Sequence, residues 1–291
     1  MPDNKNLSNK TIGVIVHKLD SYFITSALKG IEEGIAGSGY ELIVTHSQEM
    51  MGKEVANAQL LFDNRVDGVI ASLSVETMDL RHFAAFIKEG VPVVFFDRVG
   101  ETVDSDRIVI DNTRCGYLAT EHLIRQGCKR IAIITSNPER NVYGDRYRGF
   151  RAALDAYGVP FNGEVLILGD HDKEAGVDAA GRIRRMRPMP DGLFITNDLE
   201  AARCMHALKE AGIRVPEDIA IVGFNNDPIG RLIVPTLTTI DYPGYEMGKT
   251  AAAKLLDHLS GRRAVTGNQT TIIPSGLIVR DSSLRAMHAI V

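Results

Sequence analysis

From Thr11 onward the chain alternates short, nearly continuous apolar runs with longer segments whose apolar residues return every three or four positions. The first pattern suits strands buried on both faces and the second suits helices with one buried side. "TIGVIV" (11–16) predicts a strand. The next segment, "SYFITSALKGIEEGIAGSG", predicts a helix with Phe23, Ile24, Ala27, Leu28, Ile31 and Ile35 on its buried side, closed by glycines at 37 and 39. Further strands are expected at 40–46, 66–72, 91–96 and 107–110, with helices at 49–64 and 78–89 between them.

The series then restarts. Helices are expected at 113–126, 143–157, 173–185, 197–211 and 244–260, and strands at 130–135, 164–168, 191–196, 218–224 and 237–240, with more strand material in 269–280. Alternation of this kind predicts parallel sheets covered by helices. About ten strands exceed one comfortable twisted sheet. Two α/β units are therefore expected, joined near Ile110–Asp111.

Composition narrows the class. The chain has 291 residues, 44% hydrophobic and 24% charged, which is ordinary for a globular protein. A net charge of -4 argues against a nucleic-acid-coating surface. The three cysteines, Cys115, Cys128 and Cys204, lack metal-type spacing and fit free thiols in a reducing cytosol. No run approaches a membrane span, and residues 1–10 have no apolar signal core, so a cytoplasmic chain is expected.

In open parallel sheets, ligands bind beyond the carboxyl ends of the strands. Asp20, Tyr22 and Phe23 follow the first strand, and Asp97 and Arg98 the fourth. Arg140 and Arg146 lie in "SNPERNVYGDRYRGF", and Asp170 and His171 follow "EVLIL". Asn197 and Asp198, Asn225 to Asp227, and Asp241 with Tyr242 end three further strands. Singly, each has an ordinary structural role: one of Asn197 and Asp198 caps a helix, Tyr22 and Phe23 join a core, and His171 sits in a loop. Together they suit a polyhydroxylated ligand, because carboxylates, amides and a guanidinium pair with adjacent hydroxyls while rings cover C–H faces.

Catalytic signatures are missing: there is no phosphate loop, G-x-G-x-x-G, G-x-S-x-G or H-E-x-x-H. The eight histidines are scattered, with no pair at helical metal-binding spacing beside a carboxylate. Neither an enzyme, nor a cofactor, nor a metal is expected.

The segments "KTIGVIV", "DGVIAS", "VPVVFFDR", "GYLATEHLIRQGCKRIAIIT", "DRYRGFRAALDAYGV", "DGLFITNDLEAARCMHALKEAGIRVPEDIAIVGFNN" and "PTLTTIDYPGYEMG" run in the order of the LacI/GalR effector-binding domain, which the chain resembles from Lys10 to about Leu284. The resemblance implies a type I periplasmic-binding-protein-like fold. Two doubly wound, Rossmann-like subdomains would be joined by three crossovers and close like a hinge on a small ligand. The N-terminal subdomain would comprise 11–110 and 241–268, and the C-terminal one 111–240 and 269–291. Residues 1–10 would be a linker remnant.

By position, Tyr22 and Phe23 match the family's contact pair after the first strand, Asp97 its strand-end acid, and Arg98 the arginine beside that acid in sugar binders. Arg146 matches the arginine of "R-x-x-G-F", His171 a stacking aromatic position, Asn197 the asparagine of "N-D", and Asp241 the polar residue at a crossover. One position departs: the usual aspartate after "G-F/Y" is Asn225, which can donate where a carboxylate only accepts. The family's helix-turn-helix has no counterpart before the first strand, so operator DNA binding is implied for the parent protein and the chain reads as an effector domain trimmed of it.

The expected function is a homodimeric sensor, paired through its N-terminal subdomain, for a monosaccharide. A sugar phosphate or a nucleoside stays open as ligand, and a transport receptor of the same fold is the alternative.

Overall fold

The computed structural model describes residues 10–100, 102–137, 141–161, 163, 166–168, 175–262 and 268–285. The chain forms two compact units, Met1–Ile110 with Pro243–Ile273, and Asp111–Tyr242 with Pro274–Val291.

In the first unit the strands are β1 (Thr11–Val16), β2 (Glu41–His46), β3 (Gly68–Ala71), β4 (Val93–Phe96), β5 (Asp106–Val109) and β11 (Thr270–Ile272). They form one sheet in the order β11-β5-β4-β3-β1-β2, with every pair parallel. Helices α1 (Tyr22–Ile35), α2 (Met51–Asp63), α3 (Arg81–Lys88) and α9 (Gly244–Leu259) belong to it. All six residues of β1 and all four of β3 and β4 are buried, as continuous apolar runs require. Phe83 meets Phe95 edge-to-face at 5.0 Å in a core that also holds Ile15, Val69 and Phe86.

The second unit repeats the plan. Its strands are β6 (Ile131–Thr135), β7 (Leu166–Leu168), β8 (Gly192–Ile195), β9 (Ala220–Asn225), β10 (Thr238–Asp241) and β12 (Leu277–Ile278). Their order is β12-β10-β9-β8-β6-β7, parallel except for the antiparallel β10–β12 pair. Helices α4 (Asn112–Arg125), α5 (Asn141–Ala156), α6 (Ala175–Arg185), α7 (Asp198–Glu210) and the single turn α8 (Ile229–Leu232) complete it. Both sheets carry helices between parallel strands, the α/β class expected from the alternation. Cys115, Cys128 and Cys204 are buried and unpaired, and burial pushes the thiols of Cys128 and Cys204 up to about 12.

Three details differ from the sequence reading. The third helix starts at Arg81 rather than 78, because Ser74 and Thr77 are drawn onto Glu54 and the Asp79 carboxylate accepts from the Arg81 amide. Asp241 and Tyr242 stay with the second unit, since Asp241 is in register with Asn225. Residues 269–273 join the first unit, since Ile272 pairs with Val109.

Close helix packing depends on glycine in both units. A Cβ on Gly149 of α5 would collide with the Thr113 carbonyl of α4, and one on Gly116 of α4 with the Arg146 carbonyl of α5. In the first unit, Gly30 of α1 and Gly248 of α9 face the Tyr245 and Ala27 carbonyls in the same way.

Candidate functional site

Each sheet reverses its strand order beside its first strand: β1 lies between β2 and β3, and β6 between β7 and β8. The carboxyl ends at such a reversal form the crevice where open α/β sheets bind ligands.

In the first unit that end carries a hydrogen-bonded row. His17 Nδ1 lies 3.2 Å from Ser72 Oγ, and Ser72 Oγ donates to Asp97 Oδ2 at 3.2 Å. Asp97 is buried and has a left-handed backbone, φ +62, with its amide bonded to the Ile108 carbonyl. Aspartate tolerates that conformation better than most residues, and such strain concentrates at functional sites. Arg98 is buried as well, and its Nη1 donates to Glu49 Oε2 at 2.6 Å. Burial alone would raise the Glu49 carboxyl, but Arg98, His17 and the Val75 amide overcome it and bring Glu49 down to about 2. Of the two adjacent strand-end charges, Arg98 is engaged with Glu49, and Asp97 with Ser72.

Asp20 and Tyr22 are exposed at the end of the β1–α1 turn. Phe23 is buried instead, its ring against Gly244 at the start of α9. Helical periodicity had put Phe23 on the core side with Ile24 and Ala27, and there it lies.

The second unit centres on Arg146. The residue is 3% exposed. Its Nε donates to Asn112 Oδ1 at 2.9 Å and its Nη1 to the Thr196 carbonyl at 3.2 Å. The guanidinium lies 3.6 Å from the centroid of Phe224, with Tyr242 at 5.1 Å and Tyr143 at 5.7 Å. Such stacking is worth about 0.5–2 kcal/mol. Its Nη2 has no hydrogen-bond partner among the described residues, yet it is not sealed from solvent. The glycine contacts between α4 and α5 bring Asn112 and Arg146 within reach of each other.

Around it stand the other strand-end groups. Asn197 caps α7, its carbonyl oxygen accepting from the Glu200 amide at 3.1 Å. Asn225, φ +127, donates to Asp227 Oδ2 at 3.4 Å. Asn226 donates to Asp241 Oδ1 at 2.9 Å and accepts from Arg280 Nη2 at 2.7 Å. Asp198 is fully buried, its carboxylate taking Thr239 Oγ1 and the Asp227 amide, each at 2.8 Å. Burial raises Asp198 to about 7 and Asp227 to about 6. Asp227 Oδ1 is buried with no hydrogen-bond partner among the described residues. Arg140, Asp170 and His171 lie outside the described residues.

Arg146, Asn197, Asn225 and Asp241 thus stand on strand ends, or helices following them, of one unit, while Asp97 and Arg98 belong to the other. Sequence reading missed Glu49, Asn112, Phe224 and Arg280. Glu49 was only the first residue of a helical repeat, Asn112 the residue before the helix expected at 113–126, Phe224 a strand residue, and Arg280 the last of the strand material in 269–280. No group of three or more histidine, cysteine or acidic side chains suited to a metal occurs among the described residues.

The periplasmic binding protein-like domain family matches residues 120–283. The HTH-type transcriptional repressor PurR of Photobacterium profundum is 31% identical over 255 residues, 88% of this chain and 76% of the repressor. That of Erwinia tasmaniensis is 31% identical over 274 residues, 94% and 80% of the respective chains. Among solved structures, the transcriptional regulator CelR–cellobiose complex superposes with a TM-score of 0.84 at 26% identity, covering 94% of this chain and 84% of that one. A LacI family transcriptional regulator from Enterococcus faecium with bound ribose gives a TM-score of 0.84 at 28% identity, covering 95% and 100%.

Proposed function

This chain belongs to the LacI/GalR family of bacterial transcription regulators, and we propose that its second unit recognises a small polyhydroxylated effector through Arg146, with Asn197, Asn225 and Asp241 contacting hydroxyls. The observation that carries this reading is the Arg146 guanidinium, 3% exposed and stacked on Phe224, with Nη2 left unbonded. Asn112, the Thr196 carbonyl and Phe224 hold the guanidinium in place, so a ligand that accepts from the open Nη2 meets a preorganised, charged donor. In the first unit, Asp97 is the acceptor for the same class of ligand, and Asp20 and Tyr22 are exposed where β1 leads into α1.

Sugars are the favoured class because solved relatives carry cellobiose and ribose. The effector shifts the population between conformers of differing DNA affinity, a coupling typically worth ~1–3 kcal/mol. It is returned unchanged, since the relatives are repressors rather than enzymes. Operator DNA is contacted by a helix-turn-helix domain rather than by these two units, whose net charge is -4. The protein acts in the cytoplasm as a homodimer paired through its first unit; no helix among the described residues is long and apolar enough to cross a membrane.

A thermal-shift screen over sugars, sugar phosphates and nucleosides tests this reading, since a ligand raises stability by RT ln(1+[L]/Kd). A sugar-type compound should raise the unfolding midpoint of the wild type but not of Arg146→Ala. Nucleosides alone raising it would contradict the assigned class. Sedimentation velocity should give the mass of a dimer, and a monomer at every concentration would contradict the pairing.

A further inference from the structure

We infer that Ser72 and Asp97 hold His17 as the Nδ1–H tautomer, so that His17 Nε2 is a hydrogen-bond acceptor for the effector at the carboxyl end of β1. This rests on the reading of the strand ends as the effector site. It adds His17 as a specificity-determining residue and Ser72 as the residue that positions it.

The direction of the bonds carries the argument. His17, Ser72 and Asp97 directly follow β1, β3 and β4, which lie side by side in the sheet. All three are buried, Ser72 completely. A carboxylate only accepts, and a serine hydroxyl has a single proton to give. Ser72 gives that proton to Asp97 Oδ2. The 3.2 Å contact between Ser72 Oγ and His17 Nδ1 is then made by a proton on Nδ1. In a neutral imidazole one nitrogen carries the proton and the other is bare, so Nε2 accepts.

The surroundings hold this arrangement. The Ser72 amide bonds to the Ile15 carbonyl at 2.9 Å, and the His17 carbonyl accepts from the Glu49 amide at 3.1 Å. The Glu49 carboxylate also lies near the imidazole, but its Oε2 takes Arg98 Nη1 at 2.6 Å and the Val75 amide at 2.9 Å. Arg98 thus meets the Glu49 charge directly. Replacing both partners of a buried hydrogen bond by apolar groups is nearly neutral, so stability alone gives no reason for a polar relay here. The strand reversal, where open α/β sheets bind ligands, does give one. With Nε2 bare, His17 joins Asp97 as a second acceptor of the first unit. Hydroxyl donors of a sugar satisfy both, whereas a carbonyl or phosphate oxygen satisfies neither.

The test is long-range nitrogen–proton NMR of the whole chain at pH 8, which separates bare from protonated imidazole nitrogens. The His17 signals are identified by their loss in His17→Gln. The expected spectrum has the proton on Nδ1, the minor form of free histidine. Ser72→Ala should shift His17 toward the Nε2–H form, with urea unfolding still cooperative. A proton on Nε2 or on both nitrogens in the wild type overturns the inference and leaves the sugar-sensor reading intact. So does a Ser72→Ala spectrum unchanged from wild type. D-ribose, D-glucose, D-galactose and cellobiose are then added singly. A sugar that raises the unfolding midpoint should move the Nε2 signal upfield as its hydroxyl donates there. One that raises the midpoint of wild type but not of Arg146→Ala, and leaves Nε2 unmoved, overturns the role of His17 alone.

Discussion

Asp198 has no exposed surface, and its carboxyl sits between a threonine hydroxyl and two backbone amides. Burial, offset in part by those bonds, raises it from 3.8 to about 7. Between those values the native state holds a proton that the unfolded chain releases. The native state therefore binds more protons there, and stability falls as pH rises from about 4 to about 7. Asp227, raised to about 6, adds to the same slope. Urea unfolding at pH 5 and pH 7.5 should show a smaller fall in stability for Asp198→Asn than for the wild type; an unchanged fall would contradict the assignment. Glu49 has the opposite sign. Lowered to about 2 despite its burial, it contributes stability above about 4.5 that is lost as pH falls toward 2. Arg98→Ala should forfeit that contribution already at pH 7, by ~1–3 kcal/mol, because the half-buried Glu49 loses its partner. Chemical denaturation of the two proteins at pH 7 measures it directly. Arg146 itself was legible in "R-x-x-G-F", whereas its setting was not, because Asn112, Thr196 and Phe224 come from three separate elements.

At the scale of elements, the glycine of that same motif has a physical reason. Gly149 lets α5 approach the Thr113 carbonyl of α4, and Gly116 lets α4 approach the Arg146 carbonyl. The contact sets the register in which Arg146 Nε meets Asn112. Gly149→Ala should cost ~1–3 kcal/mol through overpacking and weaken effector binding as well, since Arg146 is carried away from its partners. Stability and affinity both unchanged would contradict this. The strands with continuous apolar runs were legible almost to the residue, because burial on both faces leaves nothing else in the pattern. Thr270–Ile272 and Leu277–Ile278 were not assignable to their sheets. Runs of three and two residues carry no period, and their pairing with Val109 and Thr239 is a matter of register. The start of α3 was hidden for a different reason: Glu54, on another helix, draws Ser74 and Thr77 out of the helical repeat.

For the whole molecule, the two units each bury their own sheet and core, and neither is a continuous stretch of chain. The first unit needs α9 and β11, which come after the second unit's strands β6 to β10. A chain ending at Tyr242 should therefore lose cooperative folding of its first unit, with Ile24, Ala27 and Ile31 of α1 deprived of cover, and circular dichroism on urea titration would report it. The two-unit plan was legible because the strand–helix series restarts after Ile110. The return of residues 243–273 to the first unit was legible only through family resemblance, and its boundary shifted once strand register was known.

The central claim is that Arg146 holds the effector of a LacI/GalR-family sensor. Isothermal titration calorimetry of wild type and Arg146→Ala, with whichever compound raises the wild-type unfolding midpoint most, tests it most directly. Binding should weaken by at least ~30-fold in the variant, with its unfolding in urea still cooperative. Equal affinity in the two proteins would contradict the account.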